Sequence, residues 1–319
     1  MALEVMHSAS EWIAFFGEAR KPSAVTIGNF DGVHRGHQEI LRSVLSRAGR
    51  TNAISAVLTF YPHPARILRP EAAPQLLLTL EQRLAAIEAI GIHAALVMQF
   101  DAELANLGAE DFVRRFLVET MRAEAVLVGR NFRFGHRQAG DVKMLGQIGQ
   151  RSGFQVEIVP PVLEDGMVIS STAIREAVRD GKVELARRML GKPYALTGEI
   201  RPGTGQGRKL VVPTLNLTTG QEVLPKTAVY ATEAVVEGKT YHAATNVGVR
   251  PTFDGTRITI ESHLFDFTEN LTSGPFEVRF WERLRDERKF SSPAELREQV
   301  LKDIEQAKKY FRESAAGTF

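Results

Sequence analysis

The ten residues Gly28-Asn29-Phe30-Asp31-Gly32-Val33-His34-Arg35-Gly36-His37 hold the densest chemistry in the chain. Glycines at 28, 32 and 36 let the backbone turn tightly and approach a ligand. His34 and His37 are three apart, so at a helix start they share a face. Two imidazoles there can donate hydrogen bonds to phosphate oxygens as charge develops on a leaving group. The segment leaves the apolar run SAVTIG (23–28) and opens a helical pattern that reaches about Ser46. Ligands bind at the carboxyl ends of such strands. A helix start adds free N–H groups and the positive end of its dipole. Gly28, Asn29, Phe30, Asp31, Gly32 and Gly36 are therefore candidate nucleotide-binding positions beside the two histidines. A zinc site fits poorly, with no cysteine and no HExxH helix.

A second constellation lies at 203–216. Gly203, Gly205 and Gly207 alternate before Arg208, and Thr214 and Asn216 follow two apart in a strand-like run. That spacing puts both side chains on one side. Their neutral oxygens suit a hard divalent cation between phosphates, and a glycine loop can fold N–H groups onto those phosphates. Taken alone, GTGQG fits a hairpin loop as well. It is not a Rossmann fingerprint, because a strand rather than a helix follows. Gly238-Lys239-Thr240 is not a P-loop, since Glu233 stands where the first glycine belongs.

Two kinds of fold must position these groups. Through residue 190, strand-like runs (SAVTIG, AISAVLTF, AALVMQF, EAVLVG, FQVEIVP) alternate with helical ones, among them GAEDFVRRFLVETM and a Thr79/Gln82 capping box. Such alternation predicts a parallel α/β sheet covered by helices. From Gly191 six β-rich runs follow without a helix: YALTGEI, LVVPTLNL, AVYATEAVV, TYHAATNVG, RITIESHLF and FEVRFW. They predict a small antiparallel barrel. Ser292-Pro293-Ala294-Glu295 then caps a last helix, whose stripe Leu296, Val300, Ile304, Ala307, Phe311 packs on the barrel. The expected domains are 1–190 and 191–319.

Composition agrees with two globular cores. The 319 residues are 44% hydrophobic and 24% charged, and 40 basic against 38 acidic residues leave +2. That balance argues against a bulk nucleic-acid binder. The absence of cysteine removes disulfides, thiolate metal sites and cysteine nucleophiles. No signal peptide or membrane span is legible, so the expected compartment is the cytoplasm.

The motifs also carry a family likeness. His34–His37 (HxGH), with Ile169-Ser170-Ser171-Thr172-Ala173-Ile174-Arg175 much later, resembles the nucleotidylyltransferase superfamily. The fuller GNFDGVHRGH is similar to the FAD synthetase module of bacterial bifunctional riboflavin kinase/FAD synthetases. Thr59-Phe60-Tyr61-Pro62-His63-Pro64 resembles that module's TF-x-PHP loop, with Tyr61 where aspartate is common. Gly129-Arg130-Asn131-Phe132-Arg133-Phe134-Gly135 resembles its G-x-[DN]-F-x-FG loop. In the second half, GTGQGR before VPTLNL, Asn246-Val247-Gly248-Val249-Arg250-Pro251-Thr252-Phe253, Glu261-Ser262-His263-Leu264-Phe265-Asp266-Phe267 and Leu284–Phe290 resemble the riboflavin kinase domain. Leu215 replaces that domain's usual alanine, Val211-Val212 its usual Gly-Phe, and Leu271–Gly274 lacks a tyrosine often found there.

The resemblance implies a Rossmann-like nucleotidylyltransferase domain followed by a kinase barrel. It implies ATP-dependent phosphorylation of riboflavin to FMN, then adenylylation of FMN to FAD with release of pyrophosphate. An adenylyltransferase with a kinase domain reduced to flavin binding is the alternative. The likeness gives His34, His37 and Arg175 to the ATP phosphates, with Ser171 and Thr172 closing on them. Asn131 goes to the nucleotide or incoming phosphate, and Phe132 and Phe134 to the flavin ring. Thr214 and Asn216 would hold Mg²⁺, and Glu261 would be the base for the riboflavin 5′-hydroxyl. A monomer or weak homo-oligomer working on riboflavin, FMN and ATP, with no nucleic acid and no membrane, is expected.

Overall fold

The structure, a computed structural model, describes residues 2–17, 20–202, 212–252, 255–269 and 271–315. The chain divides into two compact units, Met1–Ser171 and Thr172–Phe319.

The first unit is built on a parallel sheet. Its strands are β1 (Glu4–Met6), β2 (Ser23–Ile27), β3 (Ile54–Tyr61), β4 (Ala94–Gln99), β5 (Ala123–Gly129) and β8 (Gln155–Val159), in the order β1-β4-β3-β2-β5-β8. Every pairing is parallel. All five residues of β2 are buried, as a strand covered on both faces requires. Alternation sorts them. Val25 and Ile27 join Trp12, Leu58, Phe112 and Phe116 on one face. Ala24 joins Leu41, Val44, Val57 and Ile87 on the other. That second face is covered by α2 (Arg35–Thr51) and α4 (Leu80–Glu88). The strands after β2 add on one side of it and β5 adds on the other, so the chain reverses direction at β2–β5. Ligands bind at such a switch point.

The expected helix GAEDFVRRFLVETM is wound in two ways. Ala109–Phe112 is α-helical, and Val113–Thr120 continues in the wider π pattern, with Val113, Phe116, Leu117 and Thr120 still buried. The hairpin Leu163–Glu164/Met167–Val168 lies in a stretch without strand periodicity.

In the second unit, β11 (Tyr194–Arg201), β12 (Leu215–Thr218), β13 (Ala228–Val236), β14 (Lys239–Thr252), β15 (Gly255–Leu264) and β16 (Pro275–Asp286) close a barrel in the order β11-β12-β15-β14-β13-β16. All six pairings are antiparallel. Inside it, Thr232, Thr245 and Ser262 form a buried hydroxyl chain with contacts of 2.6 and 2.7 Å. The final helix, α10 (Pro293–Ala315), lays Ile304, Ala307 and Phe311 against Ala231, Ala244 and Phe265. Glu295 N–H donates to Ser292 Oγ at 3.2 Å, the capping read from the sequence. The helices α8 (Ser171–Arg179) and α9 (Val183–Leu190) group with this barrel. Glu184 on α9 accepts the Arg283 N–H at 2.8 Å, and Arg187 lies 5.1 Å over the Trp281 ring.

Candidate active sites

The loop after β2 is held in an unusual backbone. Phe30 and Val33 have φ of 51° and 40°, a region costly for bulky residues and above all for a β-branched one. Both are 2% exposed, so core packing holds them there. Val33 N–H donates to Phe30 O at 3.1 Å, and Gln38 Nε2 donates to Val33 O at 2.9 Å. The turn ends on His34, which caps α2 by accepting the His37 N–H on Nδ1 at 3.3 Å. The proton of neutral His34 therefore sits on Nε2. The two rings stack with centroids 3.7 Å apart. A Cβ on Gly36 would stand 3.2 Å from the His34 ring, so a larger residue here would press on that imidazole.

Burial pushes the His34 imidazole down to about 4. Burial, with the neighbouring His34, pushes His37 well below the ordinary histidine value. Both are neutral donors near pH 7. His37 Nδ1 and Asn29 Oδ1 are buried without a hydrogen-bond partner, and such atoms are completed by a bound group or water.

Other expected residues take different places. The Asp31 carboxylate accepts the N–H groups of Leu77 (3.0 and 3.2 Å) and Leu78 (3.2 Å), so it ties loops together inside the protein. Ser171 Oγ donates to Asp31 O at 2.8 Å, bringing the ISST segment to the loop. Thr172 is exposed and Arg175 buried, both on α8. Asn131 is exposed after β5. Phe134 is a core side chain packed on Phe112, and the half-buried Phe132 stacks on it at 5.5 Å.

In the barrel, cross-strand register assembles a site. Asn216 on β12 pairs with Glu261 on β15, Glu261 with Asn246 on β14, Asn246 with Val229 on β13, and Val229 with Arg285 on β16. Residues paired in this way share one face. Thr214 stands just before β12 rather than on it. A cavity of about 420 Å³ opens there, lined by Thr214, Asn246, Glu261, His263, Phe290 and Asp303 among others. Leu215 is buried and pairs with the fully buried Ser262, so this departure from the family pattern faces away from Glu261. Gly203, Gly205, Gly207 and Arg208 lie outside the described residues.

Sequence reasoning missed two sets of groups. One is Asn246 with Glu287: a Cβ on Gly248 would stand 2.8 Å from a side-chain atom of each. The motif NVGVRPTF held this signal. The other is a chain of polar contacts that anchors α10 beside the cavity. Arg285 forks onto the buried Asp303 at 2.8 and 2.6 Å, Gln299 donates to Asp303 at 2.8 Å, and Arg288 donates to Gln299 at 2.9 Å. The Arg285 and Arg288 guanidinium groups also lie 5.8 and 4.8 Å from the Phe290 ring centre. His263 Nδ1 lies 2.9 Å from Pro213 O and must donate to it, leaving Nε2 unprotonated when neutral.

Comparison with known proteins covers both parts of the chain. A family model for FAD synthetase matches residues 17–173, and one for riboflavin kinase matches 190–311. The chain is 37% identical to a bifunctional riboflavin kinase/FMN adenylyltransferase of Haemophilus influenzae, over 90% of this chain and 94% of the relative. Proteins of the same description from Escherichia coli strain K12 (35%, covering 90% and 92%) and Bacillus subtilis (33%, covering 92% and 94%) also match. A crystal structure from Streptococcus pneumoniae described as a macrolide-efflux protein superposes with a TM-score of 0.85 at 27% identity, over 97% of this chain and 99% of that one. Among the described residues here, no helix is long and apolar enough to cross a membrane. Two family models in tandem, and curated relatives matched along nine-tenths of its length, show that the chain belongs to the bifunctional riboflavin kinase/FMN adenylyltransferase family.

Proposed function

We propose that the chain makes FAD in two steps on separate sites. Residues 191–319 transfer the γ-phosphoryl group of ATP to riboflavin, and residues 1–190 join FMN to the AMP moiety of a second ATP. The observation that carries this reading is the presence of two built sites in one chain. One is the stacked neutral pair His34/His37 at a helix start. The other is the Asn216–Glu261–Asn246 row, of which Glu261 and Asn246 line a cavity. The boundary near 190 follows function, because Ser171, Thr172 and Arg175 serve adenylyl transfer even though α8 and α9 group with the barrel.

In the first site an FMN phosphate oxygen attacks the α-phosphorus of ATP and pyrophosphate leaves. His34 and His37 donate N–H bonds to the phosphates, strengthening as charge builds on the leaving group. Asn29, Phe30 and the glycines at 28, 32 and 36 shape the cradle. Asp31 acts by holding the loop, Arg175 adds positive charge, and Asn131 and Phe132 take the nucleotide or flavin side. In the second site Glu261 takes the 5′-hydroxyl proton while the oxygen attacks the γ-phosphorus and ADP leaves. ATP arrives as its magnesium complex. Thr214 and Asn216 offer hard, neutral oxygens next to Glu261, a donor set that fits Mg²⁺. The cytoplasm, with its ATP, suits both steps.

The test supplies substrates separately. FMN with Mg-ATP should give FAD and pyrophosphate, riboflavin with Mg-ATP should give FMN and ADP, and removing divalent cation should stop both. FAD formation without any FMN formation from riboflavin would leave the barrel as a flavin-binding domain.

A further inference from the structure

Below the phosphate cradle lies a buried cation outside every motif. Arg83, on the first turns of α4, is 6% exposed. Its Nη1 donates to Asn29 O at 2.5 Å and its Nη2 to Phe60 O at 3.2 Å. One guanidinium therefore holds both the loop after β2 and the carboxyl end of β3. The grip is reciprocal: Asp31 in the loop binds Leu77 and Leu78 N–H, just ahead of the Thr79 cap of α4. Asp31 also supports the Arg83 charge, while burial works against it.

We propose that Arg83 is a positioning residue for adenylyl transfer, turning the Asn29–Phe30 peptide so that its N–H faces the phosphate site. This rests on the adenylyl-transfer reading of the first unit. The reason is the planarity of the peptide group. The Asn29–Phe30 bond is trans, so its C=O and N–H point in opposite directions. Fixing Asn29 O inward on Arg83 aims the Phe30 N–H away from Arg83. That N–H meets no acceptor among the described residues. An N–H aimed in advance at developing phosphate charge needs no reorganisation at the moment of reaction. Lysine cannot substitute fully, because an ammonium is a point charge and the guanidinium is a fork that bonds two carbonyls at once.

The experiment uses the full chain carrying Arg83→Met or Arg83→Lys. It measures kcat and KM(ATP) for FAD formation from FMN, riboflavin phosphorylation by the same preparation, and thermal unfolding. Arg83→Met should lower kcat for FAD formation roughly 10- to 10²-fold with little change in KM, part of the loss of a whole oxyanion donor. Arg83→Lys should fall between, and phosphorylation should stay at the wild-type rate. Wild-type kcat in Arg83→Met, or a loss confined to KM, overturns the proposal. If Arg83→Met does not fold, Arg83→Lys decides, and wild-type turnover there overturns it. A wild-type chain that forms no FAD from FMN and Mg-ATP would instead remove the adenylyl-transfer reading itself.

Discussion

Two side chains carry most of the proposed chemistry, and each answers to a single substitution. His37→Ala removes a phosphate donor and should slow FAD formation by about 10²–10³ while leaving FMN formation near wild type. Equal loss of both products would show a folding role instead. Glu261→Gln keeps size and removes basicity, so FMN formation should fall by roughly 10²–10⁴ with FAD synthesis from supplied FMN unchanged. Wild-type phosphorylation by this variant would exclude Glu261 as the base. Acid tests the histidines by another route. The free imidazole protonates near 6.5, but buried His34 does so only at about 4. The unfolded chain thus binds more protons below 6.5. The first unit should lose stability as pH falls through that window and keep it above. At this scale the sequence was informative where residue type implies chemistry, as with HxGH and Glu261. It was silent where a polar side chain is turned inward. Arg83 in an amphipathic helix reads as a solvated charge, and Asp31 beside a glycine reads as a ligand, because only tertiary contacts show what each one touches.

Elements were legible where periodicity is strong. The alternating run AVYATEAVV became β13 (Ala228–Val236), and the capping box at Thr79/Gln82 is formed in both directions. Short elements without periodicity, such as the Leu163–Val168 hairpin, left no pattern to read. The packing of α9 on β16 was equally hidden and has a consequence for pH. The Glu282 carboxyl is pushed up to about 7 by burial and by its neighbour Glu184, against the opposing charge of Arg187. Its ordinary value is 4.5, so between 4.5 and about 7 the folded unit holds the extra proton. Stability from this contact is full at low pH and lost as pH rises through 7. Glu282→Gln should flatten that limb in a thermal-unfolding series against pH. An unchanged slope would show that the Glu184–Glu282 pair does not couple α9 to the barrel.

At the scale of the whole molecule, the chain folds as two units divided between Ser171 and Thr172, ahead of the boundary near 190 that we propose for function. The contacts of Glu184 with Arg283 and of Arg187 with Trp281 put α9 into the barrel's fold. A fragment from Thr172 to Phe319 should therefore be more stable than one from Lys192, by about 1–3 kcal/mol for a donor left without its acceptor. Equal unfolding midpoints would place α9 outside the barrel unit. Both fragments should phosphorylate riboflavin, since the Asn216–Glu261–Asn246 row lies wholly within β12, β14 and β15. The central claim is that one chain carries riboflavin to FAD through free chemistry at two sites. It is tested most directly by incubating the full chain with riboflavin and excess Mg-ATP and following flavins and nucleotides together over time. FMN should rise first and FAD follow, with one ADP and one pyrophosphate released for each FAD formed. Pyrophosphate without ADP, or FMN that accumulates and never becomes FAD, would contradict the account.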